Sequence, residues 1–152
     1  MVQSTFAVLS EIGSIKLGDG GEIKFTVDSY KNHKYVSVRK YLKSDAYSGP
    51  TKAGITLSPE IIGKISAALT ALPADYKEIQ DIELGKYAKK RGLSIVLRIS
   101  SYMNTKGIDI RQWQEDETYT GWTKKGIRLP LENLTEIKTL FAQTVKYFED
   151  NK

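Results

Sequence analysis

Two stretches of this chain carry aromatic rings beside cations. Residues 30–41 hold Tyr30, Tyr35, Arg39 and Tyr41, and residues 98–113 hold Arg98, Tyr102, Arg111 and Trp113. Lys52, Lys124 and Lys125 follow at corresponding places further along. An exposed ring gives a nucleobase a stacking platform worth about 1–3 kcal/mol per base. A lysine or arginine alongside neutralises phosphate and releases counterions. Stacking needs unpaired bases, so the mixture points to single strands over duplex. A purely structural reading competes with it, because aromatics also pair across the strands of ordinary sheets.

Catalytic chemistry finds little support in the same residues. His33 is the only histidine and falls in a turn, and there are no cysteines. A catalytic triad, a histidine-based metal site, a two-histidine relay and thiolate metal sites are excluded by count. The run Gly18-Asp19-Gly20-Gly21 is not followed by Lys-Ser/Thr or by a helix, as a phosphate loop would be. Glu115, Asp116 and Glu117 form a carboxylate cluster in a polar loop and read as a solvated turn. The chain reads as a non-enzyme without cofactor or metal.

The elements that would position these residues occur twice. Sliding the sequence by 72 positions aligns residues 12–69 with 84–141 without a gap, and seventeen positions are identical. Among them are Tyr30/Tyr102, Arg39/Arg111, Lys52/Lys124 and Gly54/Gly126, and "YSGPTKAGITL" at 47–57 returns as "YTGWTKKGIRL" at 119–129. A period that long is a duplicated domain, not a solenoid repeat. In "EIKFTVDSY" Ile23, Phe25 and Val27 alternate with polar residues, and in "KYVSVRKY" Val36 and Val38 face inward with Tyr35, Ser37, Arg39 and Tyr41 outward. "TKAGITL" is a short fourth strand. Ser58 then N-caps a helix with Pro59 at its first position and Ile61, Ile62, Ile65, Ala68, Leu69 and Leu72 on one stripe, stopped by Pro73. The second copy repeats the plan, with Ile95, Leu97 and Ile99, then Ile108 and Ile110, inward. Its last helix runs from about Glu132 and is the longer of the two.

Each copy therefore predicts β-β-β-β-α, an α+β fold of curved antiparallel sheets. The divisions are 1–72, a connector at 73–81, and 82–152. A unit this small buries only about 60% of its unfolded surface, so the copies are expected to share a core. The net charge of +5 permits a polyanionic partner without requiring one. No apolar run of 18 residues and no secretion signal is present, which fits a reducing, intracellular compartment.

"YVSVRKYLKSDAYSGPTKAGITLSPEIIGKI" and "GIDIRQWQEDETYTGWTKKGIRLPLENLTEI" both resemble the core of the positive cofactor four family of transcriptional coactivators. "ITLSPE" at 55–60 resembles the end of the family's fourth strand and its helix start, and "GKY" at 85–87 its first strand. The resemblance covers almost all of each repeat. It implies homodimeric β-β-β-β-α units that bind single-stranded DNA with little sequence preference, here fused as an intramolecular pseudo-dimer that is a monomer in solution. By that resemblance the stacking position after strand two falls on Tyr30 and Tyr102. The third-strand arginine falls on Arg39 and Arg111, and the tyrosine after it on Tyr41 and Trp113. The basic pair falls on Lys52 and Ala53, and on Lys124 and Lys125. Departures are also present. The third-strand tryptophan of the family becomes Leu42 and Gln114, and the loop proline, kept as Pro50, becomes Trp122 in the second copy, where its ring can replace the lost stacking surface. The copies are thus expected to differ, the second being better equipped. RNA, or a protein partner in a scaffold role, are the alternative ligands, and transcription or replication proteins the expected associates. No membrane is implied. The absent Ser- and Lys-rich tail resembles bacterial or viral members, hence a cytoplasmic, nucleoid-associated expectation.

Overall fold

A computed structural model describes residues 6–152. The strands are β1 (Phe6–Lys16), β2 (Glu22–Tyr30), β3 (His33–Lys43) and β4 (Ser48–Leu57), then helix α1 (Pro59–Thr70). After a short 3-10 turn at Tyr76–Glu78 come β5 (Ile82–Lys90), β6 (Leu93–Tyr102), β7 (Thr105–Glu115), β8 (Thr120–Pro130) and helix α2 (Leu134–Asp150). All eight strands form one antiparallel sheet in the order β1-β2-β3-β4-β8-β7-β6-β5. The halves join where Gly54 of β4 pairs with Gly126 of β8. These two glycines are equivalent in the repeat, so the pseudo-twofold relation passes through their pair.

The alternation read from the sequence holds. Ile23, Phe25, Val36 and Val38 in one half, and Ile95, Leu97, Ile99, Ile108 and Ile110 in the other, are buried under the helices. The tight turns between β2 and β3 and between β6 and β7 place two residues each at positive φ: Lys31 and Asn32, then Met103 and Asn104. Such two-residue turns match the twist of the flanking strands.

The helices pack crosswise. α1 lies against α2 and touches β5, while α2 touches β1. Phe141 of α2 meets Phe25 of β2 edge to face at 5.2 Å. A Cβ on Gly13 of β1 would come within 2.6 Å of Leu140 Cδ2. Lys138 of α2 donates to the Leu72 carbonyl at 2.8 Å. One continuous core therefore serves both halves, as the small size of each copy requires.

The helix starts differ, for a local reason. Ser58 caps α1 by accepting from the Ile61 amide at 3.2 Å. The equivalent residue in the second copy is Pro130, which has no side-chain oxygen to offer. There a 3-10 turn at Leu131–Asn133 intervenes and α2 begins at Leu134, two residues past the sequence expectation. Strands β4 and β8 in turn begin three residues earlier than the apolar pattern indicated. Thr144, polar by type, is fully buried because its hydroxyl donates to the Leu140 carbonyl at 2.7 Å.

Candidate nucleic-acid interface

The face of the sheet opposite the helices carries the polar members of each strand. Register fixes which ones meet. In the first unit Lys24 lies across from Arg39, Thr26 from Ser37, Asp28 from Tyr35 and Glu22 from Tyr41. In the second, Val96 faces Arg111, Arg98 faces Asp109 and Ser94 faces Trp113, and Trp113 faces Trp122 across β7 and β8.

A wide bulge shapes both copies. Along β3, Arg39 pairs with Gly54 and Tyr41 with Pro50, so Thr51, Lys52 and Ala53 together oppose a single residue. Thr123, Lys124 and Lys125 do the same beside β7. Extra residues in one strand leave the ladder and bend it, which turns Lys52, Lys124 and Lys125 out to solvent. Thr51 ties the bulge down: its hydroxyl donates to the Lys40 carbonyl at 3.0 Å and accepts from the Ala53 amide at 3.1 Å. Thr123 accepts from the Lys125 amide at 3.2 Å.

The repeated letters of the motif now have physical causes. The Tyr47 hydroxyl donates to the Pro50 carbonyl, and Tyr119 donates to the Trp122 carbonyl at 2.7 Å. Each ring lies over a glycine at positive φ, Gly49 at 150° and Gly121 at 152°. Arg39 and Arg111 lie flat across Gly54 and Gly126, where a Cβ would sit 2.7 Å from each guanidinium carbon. Glycine at the seam thus lets the strands join and gives the two arginines their bed.

The two outer faces are not alike. The first is open, with a groove of about 800 Å³ bordered by Thr26, Asp28, Arg39, Tyr41, Tyr47 and Lys52. Arg39 donates to the Thr51 carbonyl at 3.0 Å and has no carboxylate partner among the described residues. Lys24 sits 4.5 Å over the Tyr41 ring. Tyr30, at the end of β2, is 42% exposed. Phe6 and Val8 of β1 border the same groove and are exposed; they lie ahead of the repeat, so self-alignment could not flag them.

On the second face the same kinds of residue engage one another. Trp113 and Trp122 meet edge to face at 4.8 Å. Arg98 covers Trp122 at 4.5 Å and binds Asp109 at 3.2 Å, while Arg111 reaches the other Asp109 oxygen at 3.5 Å. Lys86 approaches the Trp113 ring at 5.8 Å. Arg128 donates to Ser100 and to the Thr105 carbonyl. Tyr102 stands apart at the hairpin end and is 66% exposed. The second unit thus holds the extra cation and ring that the sequence indicated, but Trp122 and Arg98 are already occupied. Lys124 and Lys125 remain exposed. Burial, with Lys125 and Lys90 close by, holds the Lys89 ammonium below the ordinary lysine pKa.

All eleven sequence-indicated residues (Tyr30, Arg39, Tyr41, Lys52, Arg98, Tyr102, Arg111, Trp113, Trp122, Lys124 and Lys125) belong to this outer face or its bulges. His33 opens β3 and is exposed. Asp116 of the carboxylate cluster accepts from the Thr118 hydroxyl and from the Thr118 and Tyr119 amides. Those bonds, the Thr118 hydroxyl first, lower its pKa. It is a turn-capping residue. No cluster of three potential metal-ligating side chains occurs among the described residues, and no helix of the described residues is long and apolar enough to cross a membrane.

The duplicated four-strand-plus-helix unit presents a cationic, aromatic sheet face. The family model for transcriptional coactivator p15 (PC4) matches twice, at residues 17–67 and 89–140, and the chain belongs to that family. The two matches fall one on each repeat. No curated protein matches the chain.

Proposed function

We propose that the protein binds single-stranded DNA through the outer sheet face, mainly by its backbone, and serves transcription regulation or DNA replication and recombination without catalysing a reaction. The observation that supports this most directly is the open groove of the first unit, of about 800 Å³, which Arg39, Tyr41 and Lys52 line together. Cations and rings alternate there as backbone and bases alternate along a strand. In this reading Tyr30, Tyr41, Tyr102, Trp113 and Trp122 supply rings, and Arg39, Lys52, Arg98, Arg111, Lys124 and Lys125 supply charge. The crosswise core supports a chain that acts as a monomer, with both half-sites in one molecule.

Fluorescence anisotropy with labelled oligo-dT tests the activity. Binding at low salt with clear preference over duplex is expected, and no binding, or equal affinity for duplex, overturns it. Competition by RNA hairpins that exceeds competition by oligo-dT would move the assignment to structured RNA. Tyr102→Ala is expected to weaken oligo-dT binding by about 1–3 kcal/mol; unchanged affinity removes Tyr102 from the interface. Light scattering should return the mass of one chain, and an obligate dimer would show that strands or helices exchange between chains.

A further inference from the structure

Asp28 is out of character for a surface that would hold a polyanion. It lies two residues from the end of β2 on the outer face and borders the groove of the first unit. Only 8% of it is exposed, although it points away from the core. Its Oδ1 accepts from the Thr26 hydroxyl at 2.9 Å. No cation stands within ion-pair distance of it among the described residues, and Arg39 spends a donor on the Thr51 carbonyl. Burial raises its pKa above the ordinary aspartate value, against the smaller opposing pull of Thr26 and Arg39. A carboxylate left this short of donors has unfilled acceptor capacity.

The second unit shows what a satisfied version looks like. The residue equivalent to Asp28 is Ser100, whose hydroxyl and carbonyl oxygens both accept from Arg128 at 2.7 and 2.8 Å. The carboxylate on that face, Asp109, is bound by Arg98 and approached by Arg111. Both are already engaged by arginine. Of these groove-facing acids, Asp28 alone is unmatched by charge.

A carboxylate repels phosphate, so a strand in this groove would carry its backbone along Arg39 and Lys52 and turn bases toward Asp28. What a carboxylate can recognise on an unpaired base is a donor edge. Guanine presents N1–H and the N2 amino group side by side, matching two carboxylate oxygens. Cytosine presents one amino group beside a repelling ring nitrogen. Thymine presents a single N–H between two carbonyls. Aspartate and glutamate accept from base amino groups elsewhere in nucleic-acid recognition.

We propose that Asp28 is a base-reading residue, whose carboxylate accepts from the Watson–Crick edge of an unstacked guanine and gives the first unit a base preference that the second lacks. This rests on the single-strand assignment above and adds a preference at one position to a contact that otherwise follows the backbone.

The test uses labelled oligomers of about sixteen nucleotides, one all thymidine, one alternating thymidine with cytidine, one alternating thymidine with guanosine. At a fixed salt concentration the intact chain is expected to bind the guanosine-containing strand about tenfold more tightly than all-thymidine, in the range of one good base contact. Asp28→Ser, which installs the second unit's residue, and the isosteric Asp28→Asn should each bring that ratio to about one, with folding checked by thermal melting. Equal affinities in the intact chain overturn the inference while leaving the single-strand assignment standing. So does a ratio that neither substitution changes. Uniform tightening of all three strands by Asp28→Ser would make Asp28 a repelling charge and also overturn it. Failure of every strand to bind the intact chain removes the single-strand assignment and this inference together.

Discussion

Phe141→Ala should cost about 3–5 kcal/mol of stability, the usual range for deleting a buried phenyl ring. Phe141 is fully buried on α2, and its ring meets Phe25, a residue of the other unit's β2, at 5.2 Å. Domains of this kind are held by about 5–15 kcal/mol in total, so a large part of the margin depends on one ring. The loss should not be confined to the unit that owns the helix. Both tryptophans, Trp113 and Trp122, lie on the second unit, so their fluorescence reports that half, whereas circular dichroism reports the whole chain. In urea the two signals should follow one coincident transition in the intact chain and in the variant, as a single cooperative core requires. Separate midpoints, with Phe141→Ala shifting the tryptophan transition while part of the circular-dichroism transition stays in place, would show that the halves unfold independently.

That coupling was the least legible part of the fold. The duplication, the strand alternation and the helix stripes are local or periodic signals, and the sequence displays them directly. The repeat even implies a shared core, from the size of each copy. Which helix covers which strand depends on contacts between residues as distant as Gly13 and Leu140, and no local pattern encodes them. The candidate face was legible in kind, because parity along a strand assigns outward residues once the inward ones are known. Its two bulges were not. "TKAG" and "TKKG" read as plain strand, yet Thr51 and Thr123 anchor loops of extra residues there. Nor could residue type show that Trp122 would meet Trp113 and Arg98 instead of solvent, or that the outward Asp28 would be buried. Those outcomes depend on neighbours across the sheet, such as Ser37 in one copy where Asp109 stands in the other.

The bulge lysines carry the largest expected effect on binding. Arg98 and Arg111 are drawn toward Asp109, so phosphate would have to compete for them. Lys52, Lys124 and Lys125 have no carboxylate partner among the described residues, and the bulges hold them clear of the ladder. Each phosphate neutralised on a single strand contributes about 0.7 to the slope of log affinity against log salt. Replacing all three by alanine should therefore lower the slope for oligo-dT by about 2. Since the lost contribution scales with salt, the variant should bind about a hundredfold more weakly near 0.1 M and converge on the intact chain near 1 M. Lys64 and Lys146 provide the comparison: each is an exposed helix residue paired with a carboxylate four residues away, at 3.2 Å from Glu60 and 3.1 Å from Asp150. They lie on the helical side of the sheet, and replacing both should leave the slope unchanged. Anisotropy titrations across salt concentration measure both sets. Equal losses per lysine from the two sets would mean that net charge alone holds the strand. A full loss from the bulge set with a flat response from the helix set would place the backbone along the bulges of β4 and β8.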